Sequence, residues 1–458
     1  MKEQEILSLI NERLGISDLN DLQKSVLKNL KISSSAIIYS PTGSGKTLAF
    51  SVTLLKALKN FDTEKLQAVI IAPSRELVIQ ISDVIRPIAP DYKVTSLYGG
   101  HNVADEKNSL QNVPSIIVGT PGRLLDHANR GNIDLTNVRQ LILDEFDKCL
   151  ELGFEEEMRK LLKKMPNLSR KILTSATILN EIPEFVNLRE YVTLDFLESA
   201  ENPSERTTVW QVKSEEKDKL AALRTLLYSI PQGKTIIFAN YRDAVSRIYQ
   251  NLKDNQISAG IYHGALEQMD REKAIAMFNN ESYPILVSTD LGSRGLDIKE
   301  VKNIIHYHLP VSQESYTHRN GRTARVDKTG DVYILTHQGE QLPDFVTIDE
   351  TFNLPEKCEQ KAIVNRNSTL YFKAGKKEKI SKADIVGFIA NNSQIAPNEI
   401  GVINVYDHYA LVAIPKQKAK TAIAQLLKAK IKGKKIRIEI ASAEVRISRP
   451  NNRPNNKK

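Results

Sequence analysis

Short runs of aliphatic and β-branched residues recur through most of this chain, and they are apolar at consecutive positions rather than alternating ones. They occupy residues 36–39, 68–72, 115–119, 140–144 and 171–175. A strand apolar on both faces must be covered on both faces, which is the condition of a parallel sheet layered between helices. Longer stretches with helical character, such as residues 47–60, separate the runs. The alternation predicts a doubly wound α/β domain over residues 1–200. The pattern pauses in a polar segment, residues 197–209, that contains Asn202-Pro203 and reads as a linker. It restarts at 234–240, 284–289, 302–310 and 331–336, predicting a second α/β domain over residues 210–345.

Interruptions at 338–343 and 353–360 break the pattern again, and residues 346–367 are expected to be a linker. Beyond it the order changes. A strand at 369–375, a helix at 380–392 and a strand pair around Asp407-His408 are followed by a helix at 416–429 and a strand at 434–441. That β-α-β-β-α-β order predicts a small RRM-like α+β domain over residues 368–442. The remainder, 443–458, is polar, rich in Asn and Pro, and expected to be a disordered basic tail.

Charge separates these parts. From Lys361 to the end there are 21 Lys or Arg against 6 Asp or Glu, whereas the preceding residues carry 43 against 49. A basic module on a mildly acidic body points to a polyanionic partner, through phosphate contacts and counterion release. The plainer reading is a lysine-rich solvated face. No apolar run approaches bilayer thickness, and Met1–Gly15 reads as an amphipathic helix rather than a secretory signal, so no membrane association is expected. Cys149 and Cys358 are the only cysteines, which fits neither a disulfide scaffold nor a four-ligand zinc site. A cytoplasmic monomer is the expectation.

The strongest local signal is Ser40-Pro41-Thr42-Gly43-Ser44-Gly45-Lys46-Thr47, which follows an apolar strand and opens a helix. Glycines let backbone N–H groups wrap phosphates, Lys46 reaches the β- and γ-phosphates, and Thr47 suits Mg²⁺. The alternative is a glycine-rich turn without a ligand. Asp144-Glu145 ends another apolar strand, where open α/β sheets place ligands. Asp144 there can hold a metal shell and Glu145 can orient or deprotonate water; a helix cap is the alternative. In the second half, His318-Arg319-Asn320-Gly321-Arg322-Thr323-Ala324-Arg325 concentrates arginines able to stabilise charge on a transferring phosphoryl group, if not simply a solvated loop.

Collinear with these stretches are Gln23, Pro73-Ser74-Arg75, Gly99-Gly100, Thr120-Pro121-Gly122-Arg123, Ser175-Ala176-Thr177, Phe238-Ala239-Asn240, Gln268 with Arg271, Thr289-Asp290 and Arg294-Gly295-Leu296-Asp297. In this order the chain resembles a DEAD-box RNA helicase. The resemblance implies two tandem RecA-like doubly wound parallel-sheet domains, ATP and Mg²⁺ as cofactors and RNA as partner. It implies that Gln23 reads adenine, that the loop from Ser40 to Thr47 with Asp144 and Glu145 performs the phosphate, metal and water chemistry, and that Asp297 contacts ribose. Arg322 and Arg325 become the arginine fingers. Asp147, Ser175, Thr177 and His318 couple hydrolysis to strand separation, with Ser175 and Thr177 bonded to Asp147. Pro73, Arg75, Gly100, Thr120 and Arg123 line the RNA path of the first domain, and Gln268, Arg271, Thr289 and Arg294 that of the second.

Several positions depart from the family pattern. Phe146 stands where the family usually has Ala, the segment Leu19-Asn20-Asp21-Leu22 before Gln23 lacks the family's Pro-Thr, Ile6 falls near the place of the usual upstream aromatic, Ser74 replaces Thr, and Ser40 replaces Gly or Ala. Residues 369–441 resemble the RNA-binding domain of DbpA-type helicases. Tyr371, Phe372, Tyr406 and Tyr409 are candidates for base stacking, or ordinary core aromatics, while Lys373, Lys376, Lys377, Lys434, Lys435 and Arg437 are candidates for phosphate contact. The resemblance implies a ribosomal RNA hairpin as target and a place in ribosomal RNA folding or large-subunit assembly, on pre-ribosomal particles. The expected activity is RNA-dependent ATP hydrolysis with local unwinding of short duplexes. An ATP-gated RNA clamp is the alternative, and a DNA translocase has less support.

Overall fold

The computed structural model describes residues 2–41, 43–58, 64–100, 103–179, 181–197, 207–290, 298, 301–323, 329–359, 363 and 365–442. Thr42, Arg294, Asp297, Arg325 and the expected tail lie outside the described residues.

The first α/β unit runs α1 (Glu3–Leu14), α2 (Asp21–Asn29), β1 (Ser35–Tyr39), α3 (Lys46–Ala57), β2 (Ala68–Ile71), α4 (Arg75–Ile88), β3 (Val94–Leu97), α5 (Val103–Leu110), β4 (Ile116–Gly119), α6 (Pro121–Asn129), β5 (Gln140–Leu143), α7 (Phe146–Glu151), α8 (Glu155–Lys163), β6 (Arg170–Ser175) and β7 (Tyr191–Asp195). Its strands form one parallel seven-stranded sheet in the order β3-β4-β2-β5-β6-β1-β7. The consecutive apolar residues divide between two faces. Ile38, Ile70, Ile142 and Ile172 join one core with Ile6, Val26, Phe50 and Ile81. Their neighbours Ile37, Val69, Leu141 and Leu173 join the other with Leu124, Phe146, Met158 and Leu161. Helices on both sides are what those runs require.

A second parallel sheet is built from β8 (Thr207–Ser214), β9 (Lys234–Phe238), β10 (Ala259–Tyr262), β11 (Ile285–Ser288), β12 (Val301–His306), β13 (Gly330–His337) and β14 (Glu350–Phe352). Its helices are α9 (Leu220–Ser229), α10 (Arg242–Asp254), α11 (Gln268–Asn279) and α12 (Gln313–Asn320). The strand order is β10-β11-β9-β12-β13-β8-β14. Counted from the first strand of each sheet, the two orders are identical.

Strands at the margins carry no sequence signature of the kind that marks the inner ones. β3 and β7 are the outer strands of the first sheet and are partly exposed, so they lack a wholly apolar run. The stretch expected to be the second linker contains β14, which pairs with β8, while Phe352 packs edge-on against Trp210 and Tyr333. A three-residue edge strand carries too short a pattern to read. The first expected linker falls mostly outside the described residues, and its final residues open β8.

The C-terminal domain is β15 (Asn367–Phe372), α13 (Lys382–Asn392), β16 (Ile403–Val405), β17 (Ala410–Pro415), α14 (Ala419–Leu426) and β18 (Ile438–Ile440). Its four strands are antiparallel, ordered β16-β17-β15-β18. Leu370, Phe372, Val412 and Ile414 pack under the helices with Ile385, Ile389 and Leu426. The alternate residues of β15 point the other way, onto the second α/β sheet's own helices and loops. Thr369 shares a hydrogen bond with Ser282 at 2.7 Å, and the Lys273 ammonium lies 5.3 Å from the centre of the Tyr371 ring. Among the described residues no helix is long and apolar enough to cross a membrane.

Candidate active site

Strand order decides which loops meet. At the carboxyl edge of the first sheet, β5, β6 and β1 are neighbours, so the loops holding Asp144, Ser175 and Ser40 converge. The Ser40 amide donates to the Ser175 carbonyl at 2.9 Å. From Ser40 the chain turns through Gly43 (φ 83°) and Gly45 (φ 89°), left-handed conformations that glycine adopts without strain. α3 then begins with no side chain capping its first turn, leaving its amides and its dipole for an anion. Buried Lys46 donates from Nζ to the Ser40 carbonyl at 3.1 Å. The Ser40 hydroxyl is hydrogen-bonded to that of Ser44, which is how the loop accepts a serine at its first position.

The segment before Gln23 grips this loop. Asn20 caps α2 reciprocally with Gln23: the Gln23 amide donates to Asn20 Oδ1 at 2.9 Å, and the Asn20 amide to Gln23 Oε1 at 3.0 Å. The two side chains also donate into the phosphate loop, Asn20 Nδ2 to the Ser44 carbonyl (2.9 Å) and Gln23 Nε2 to the Gly45 carbonyl (3.3 Å). Asn20 therefore supplies a cap without the family's Pro-Thr. Ile6 is fully buried in the core, out of reach of a base.

Asp144 and Glu145 follow β5 and are both buried. Burial pushes the Asp144 carboxyl above its ordinary range, opposed by the Lys46 ammonium and by the hydroxyl that Thr174 donates to it. Thr174 Oγ1 also accepts the Glu145 amide at 3.1 Å, so this residue, which no sequence motif singles out, sets both acids. Glu145 has φ 48°, an uncommon left-handed backbone for a side-chain-bearing residue at the start of α7. Two residues on, Asp147 accepts the Thr177 hydroxyl at 3.1 Å. Ser175 does not share that role: its hydroxyl turns back to the Thr177 carbonyl and accepts the Thr177 amide, closing a local turn. Phe146 is buried and tilts against Phe185 with ring centres 6.5 Å apart.

The other half of the same edge, β3-β4-β2, carries the residues expected to line an RNA path. Pro73-Ser74-Arg75 follows β2, and the Ser74 hydroxyl caps α4 by accepting the Leu77 amide at 3.2 Å, the function its Thr counterpart would serve. The Arg75 guanidinium covers the Gly99-Gly100 turn after β3. Gly100 has φ 98°, a backbone conformation that residues with a side chain rarely adopt, so this position needs glycine. Thr120 opens α6 after β4. Arg123 is not a free surface cation: its Nε donates to Glu106 at 2.6 Å, and His127 Nε2 meets the same oxygen at 2.7 Å. The other Glu106 oxygen accepts the Tyr98 amide at 3.2 Å. Glu106 thus ties the loop after β3 to the loop after β4, through contacts no local motif announces.

The second sheet repeats the arrangement. Asn240 follows β9, Gln268 and Arg271 follow β10, and Thr289-Asp290 follows β11, again adjacent strands of the order. Arg319, one of the arginines in the concentrated stretch, is fully buried and holds these loops together. It donates to Asp290, to the Asn240 side chain (2.8 Å) and to the His308 carbonyl (2.9 Å). It is scaffold; Arg322 lies just past the end of α12 and is buried. His318, on α12, pairs with Glu314 at 3.4 Å. Where the first sheet has its phosphate loop, the second has Glu215-Glu216-Lys217-Asp218. Buried Lys219 there is satisfied by the Leu335 carbonyl (2.9 Å) and Glu340 (3.0 Å).

In the C-terminal domain the packing of the aromatic candidates fits their reading as ordinary core aromatics. Phe372 is core, and Tyr371 and Tyr409, stacked 5.5 Å apart, face α11 rather than solvent. Half-buried Tyr406 stacks on Tyr409 at 4.5 Å. The basic candidates Lys373, Lys376, Lys377, Lys434, Lys435 and Arg437 are exposed, Arg437 pairing with Glu439 at 2.7 Å.

Comparison with known proteins bears on all three parts. Residues 20–185 match the DEAD/DEAH box helicase family, residues 218–327 the helicase conserved C-terminal domain, and residues 369–440 the DbpA RNA binding domain. The chain is 30% identical to the ATP-dependent RNA helicase DbpA of Escherichia coli over 445 residues, 95% of this chain and 96% of that one. It is 29% identical to the ATP-dependent RNA helicase DbpA of Bacillus subtilis over 468 residues, 94% of this chain and 96% of that one. Among solved structures, S. cerevisiae Dbp5 bound to RNA and ADP BeF3 is similar with a TM-score of 0.65 at 27% identity, covering 73% of this chain and 87% of that one.

Proposed function

This chain belongs to the DEAD-box ATP-dependent RNA helicases, and from that premise we propose that it separates short RNA duplexes locally, acting on structured ribosomal RNA during large-subunit assembly. The family makes it an RNA-dependent ATPase. The observation that carries the finer reading is the division of one sheet edge: phosphate loop and acids over β5-β6-β1, RNA-path residues over β3-β4-β2. Nucleotide state and RNA grip then share one rigid frame.

The roles follow from the local chemistry. Lys46 leaves the Ser40 carbonyl for the phosphates, and the uncapped amides of α3 take the phosphate oxygens. Gln23 and Asn20 register the loop, and Gln23 leaves the Gly45 carbonyl to read adenine. A buried carboxylate whose charged form is destabilised suits a bound cation, and the Thr47 hydroxyl and Asp144 carboxylate are the hard oxygen donors that Mg²⁺ accepts. Mg²⁺, when bound there, neutralises charge on the β- and γ-phosphates. Glu145 orients and deprotonates the attacking water. Arg322 and Arg325 stabilise charge on the transferring group, and Asp297 contacts ribose. The Asp147–Thr177 bond, with His318, couples the acids to the rest of the cycle.

Arg75, Gly100 and Thr120 in one sheet, and Gln268, Arg271, Thr289 and Arg294 in the other, contact RNA through its backbone, which positions without reading sequence. Target choice therefore rests with the C-terminal domain, whose exposed lysines around 373–377 and 434–437 contact the phosphates of a ribosomal RNA hairpin. The two features that argued for a non-hydrolysing clamp are accommodated: Phe146 is packed, and Asn20 supplies the cap. Monomeric action in the cytoplasm completes the reading.

The direct test is ATP turnover with and without RNA, and with DNA as competitor. RNA is expected to raise turnover and DNA to leave it near the basal rate; no stimulation by any RNA, with ATP still bound, would refute the reading. Removal of residues 368–458 is expected to leave intrinsic ATP turnover but to weaken binding to structured RNA. The slope of log affinity against log salt should flatten by roughly 0.9 for each duplex phosphate that the shortened protein no longer neutralises. Equal affinity and slope after truncation would remove the tethering role.

A further inference from the structure

Helix α11 serves two masters. Its first turn carries Gln268 and Arg271, and the next residue, Glu272, faces the C-terminal domain. Residues four apart on a helix lie on one side, and here the pair is bonded: Gln268 Nε2 donates to Glu272 Oε1 at 3.0 Å. The other oxygen of the same carboxylate, Oε2, accepts the hydroxyl of Tyr409 at the start of β17. Burial, and the Glu272 charge beside it, push the Tyr409 hydroxyl well above its ordinary range. The contact is framed on both sides. The Lys273 ammonium lies over Tyr371, and Asn367 Nδ2 donates to the Asn280 carbonyl at 3.0 Å. Asn365 Nδ2 reaches the Ser282 carbonyl at 3.0 Å. Tyr409 is itself fixed between the rings of Tyr371 and Tyr406.

We infer that Glu272 is a positioning residue for RNA binding by the helicase core: the docked C-terminal domain, through Tyr409, fixes the Glu272 carboxylate, and Glu272 fixes the amide of Gln268. A glutamine free to rotate loses rotamer entropy when it binds, and one already held does not. The C-terminal domain therefore raises the core's affinity for RNA that it does not itself touch. The inference rests on the reading of Gln268 as an RNA contact.

The test uses the full chain and a short uridine homopolymer, which has no hairpin for the C-terminal domain to grasp. The readout is the RNA concentration giving half-maximal ATP turnover, separated from the turnover at saturating RNA. Tyr409→Phe removes one hydroxyl from a ring that stays packed. It is expected to raise the half-saturating concentration roughly threefold to tenfold, the span that removal of a single hydrogen bond covers, with saturated turnover unchanged. Glu272→Ala should do at least as much, and Glu272→Gln, which keeps one acceptor oxygen, should fall between. The double variant Tyr409→Phe/Glu272→Ala should be no worse than Glu272→Ala alone, because both cut one chain of contacts.

Three results overturn the inference. If Gln268→Ala raises the half-saturating concentration while Tyr409→Phe and Glu272→Ala do not, Gln268 binds RNA but needs no positioning, and the proposed function stands. Additive effects in the double variant would show two independent packing perturbations. If Gln268→Ala itself changes nothing, Gln268 is not an RNA contact, and the inference falls with that assignment. A thermal melt of each variant separates any of these from unfolding.

Discussion

Glu145→Gln should slow ATP hydrolysis at saturating RNA by about 10²–10⁴-fold, the contribution of a positioned general base. The acid is buried beside Asp144, with its amide pinned by Thr174 and its backbone forced to φ 48°. Strain of that kind is retained where the surroundings over-determine it, and here it aims one carboxylate from the start of α7. Glutamine keeps the shape and the hydrogen-bonding reach but cannot take a proton. ATP binding and ATP-dependent RNA binding are therefore expected to persist, leaving a protein that holds RNA without releasing it. Single-turnover hydrolysis and RNA retention with ATP, measured on the same preparation, decide the matter. Wild-type hydrolysis in the variant would mean that another group activates the water.

Phe146→Ala, which installs the residue the family usually carries at this position, should destabilise the first α/β unit by about 3–5 kcal/mol. The ring is wholly buried among Leu143, Cys149, Met158 and Leu161, against Phe185, whose other side is covered by the Arg159 guanidinium 5.0 Å from the ring centre. Alanine leaves a cavity where the surrounding core was built around a ring, and cores relax only partly into such space. For a domain of this size a loss of that magnitude lowers the melting temperature by roughly 2–4 °C per kcal/mol. Calorimetry of the full chain, following the transition that ATP shifts upward, measures it. An unchanged transition would mean that the ring contributes little packing. At permissive temperature the turnover should stay within a small factor of wild type, because the ring packs in the hydrophobic core.

Where a residue type is dictated by backbone conformation, the site is legible in the sequence. The turns at Gly43, Gly45 and Gly100 have positive φ, so the motifs containing them announce their geometry. Apart from β8, which lies between β13 and β14 but is only partly buried, inner strands are legible for the same kind of reason, since burial on two faces leaves an unbroken apolar run. Edge strands such as β3 and β14 are not, because one open side erases the run. Partners chosen by the fold are also out of reach. Glu106 lies 17 residues before Arg123, and Arg319 lies 79 residues after Asn240, and nothing local to either says that they meet. Ser175 illustrates the limit from the other direction: its expected partner is nearby in space, but a hydroxyl two residues from a free carbonyl bonds locally first. Asn20 in the place of Thr looks like a loss in the sequence, yet Asn caps a helix as well as Thr and brings an additional amide donor for the loop.

The identical strand order of the two sheets has a stoichiometric consequence. Each scaffold offers a slot between its first, fifth and sixth strands. In one the slot ends in glycines and a lysine bonded to a loop carbonyl, ready to be exchanged for phosphate. In the other it ends in acidic residues, and the corresponding lysine is neutralised internally by Glu340. A triphosphate brought to the second slot would meet the like charge of Glu215, Glu216 and Asp218. The expected load is thus one nucleotide per chain at saturation, and each round of work on RNA is then limited to what a single hydrolysis can release.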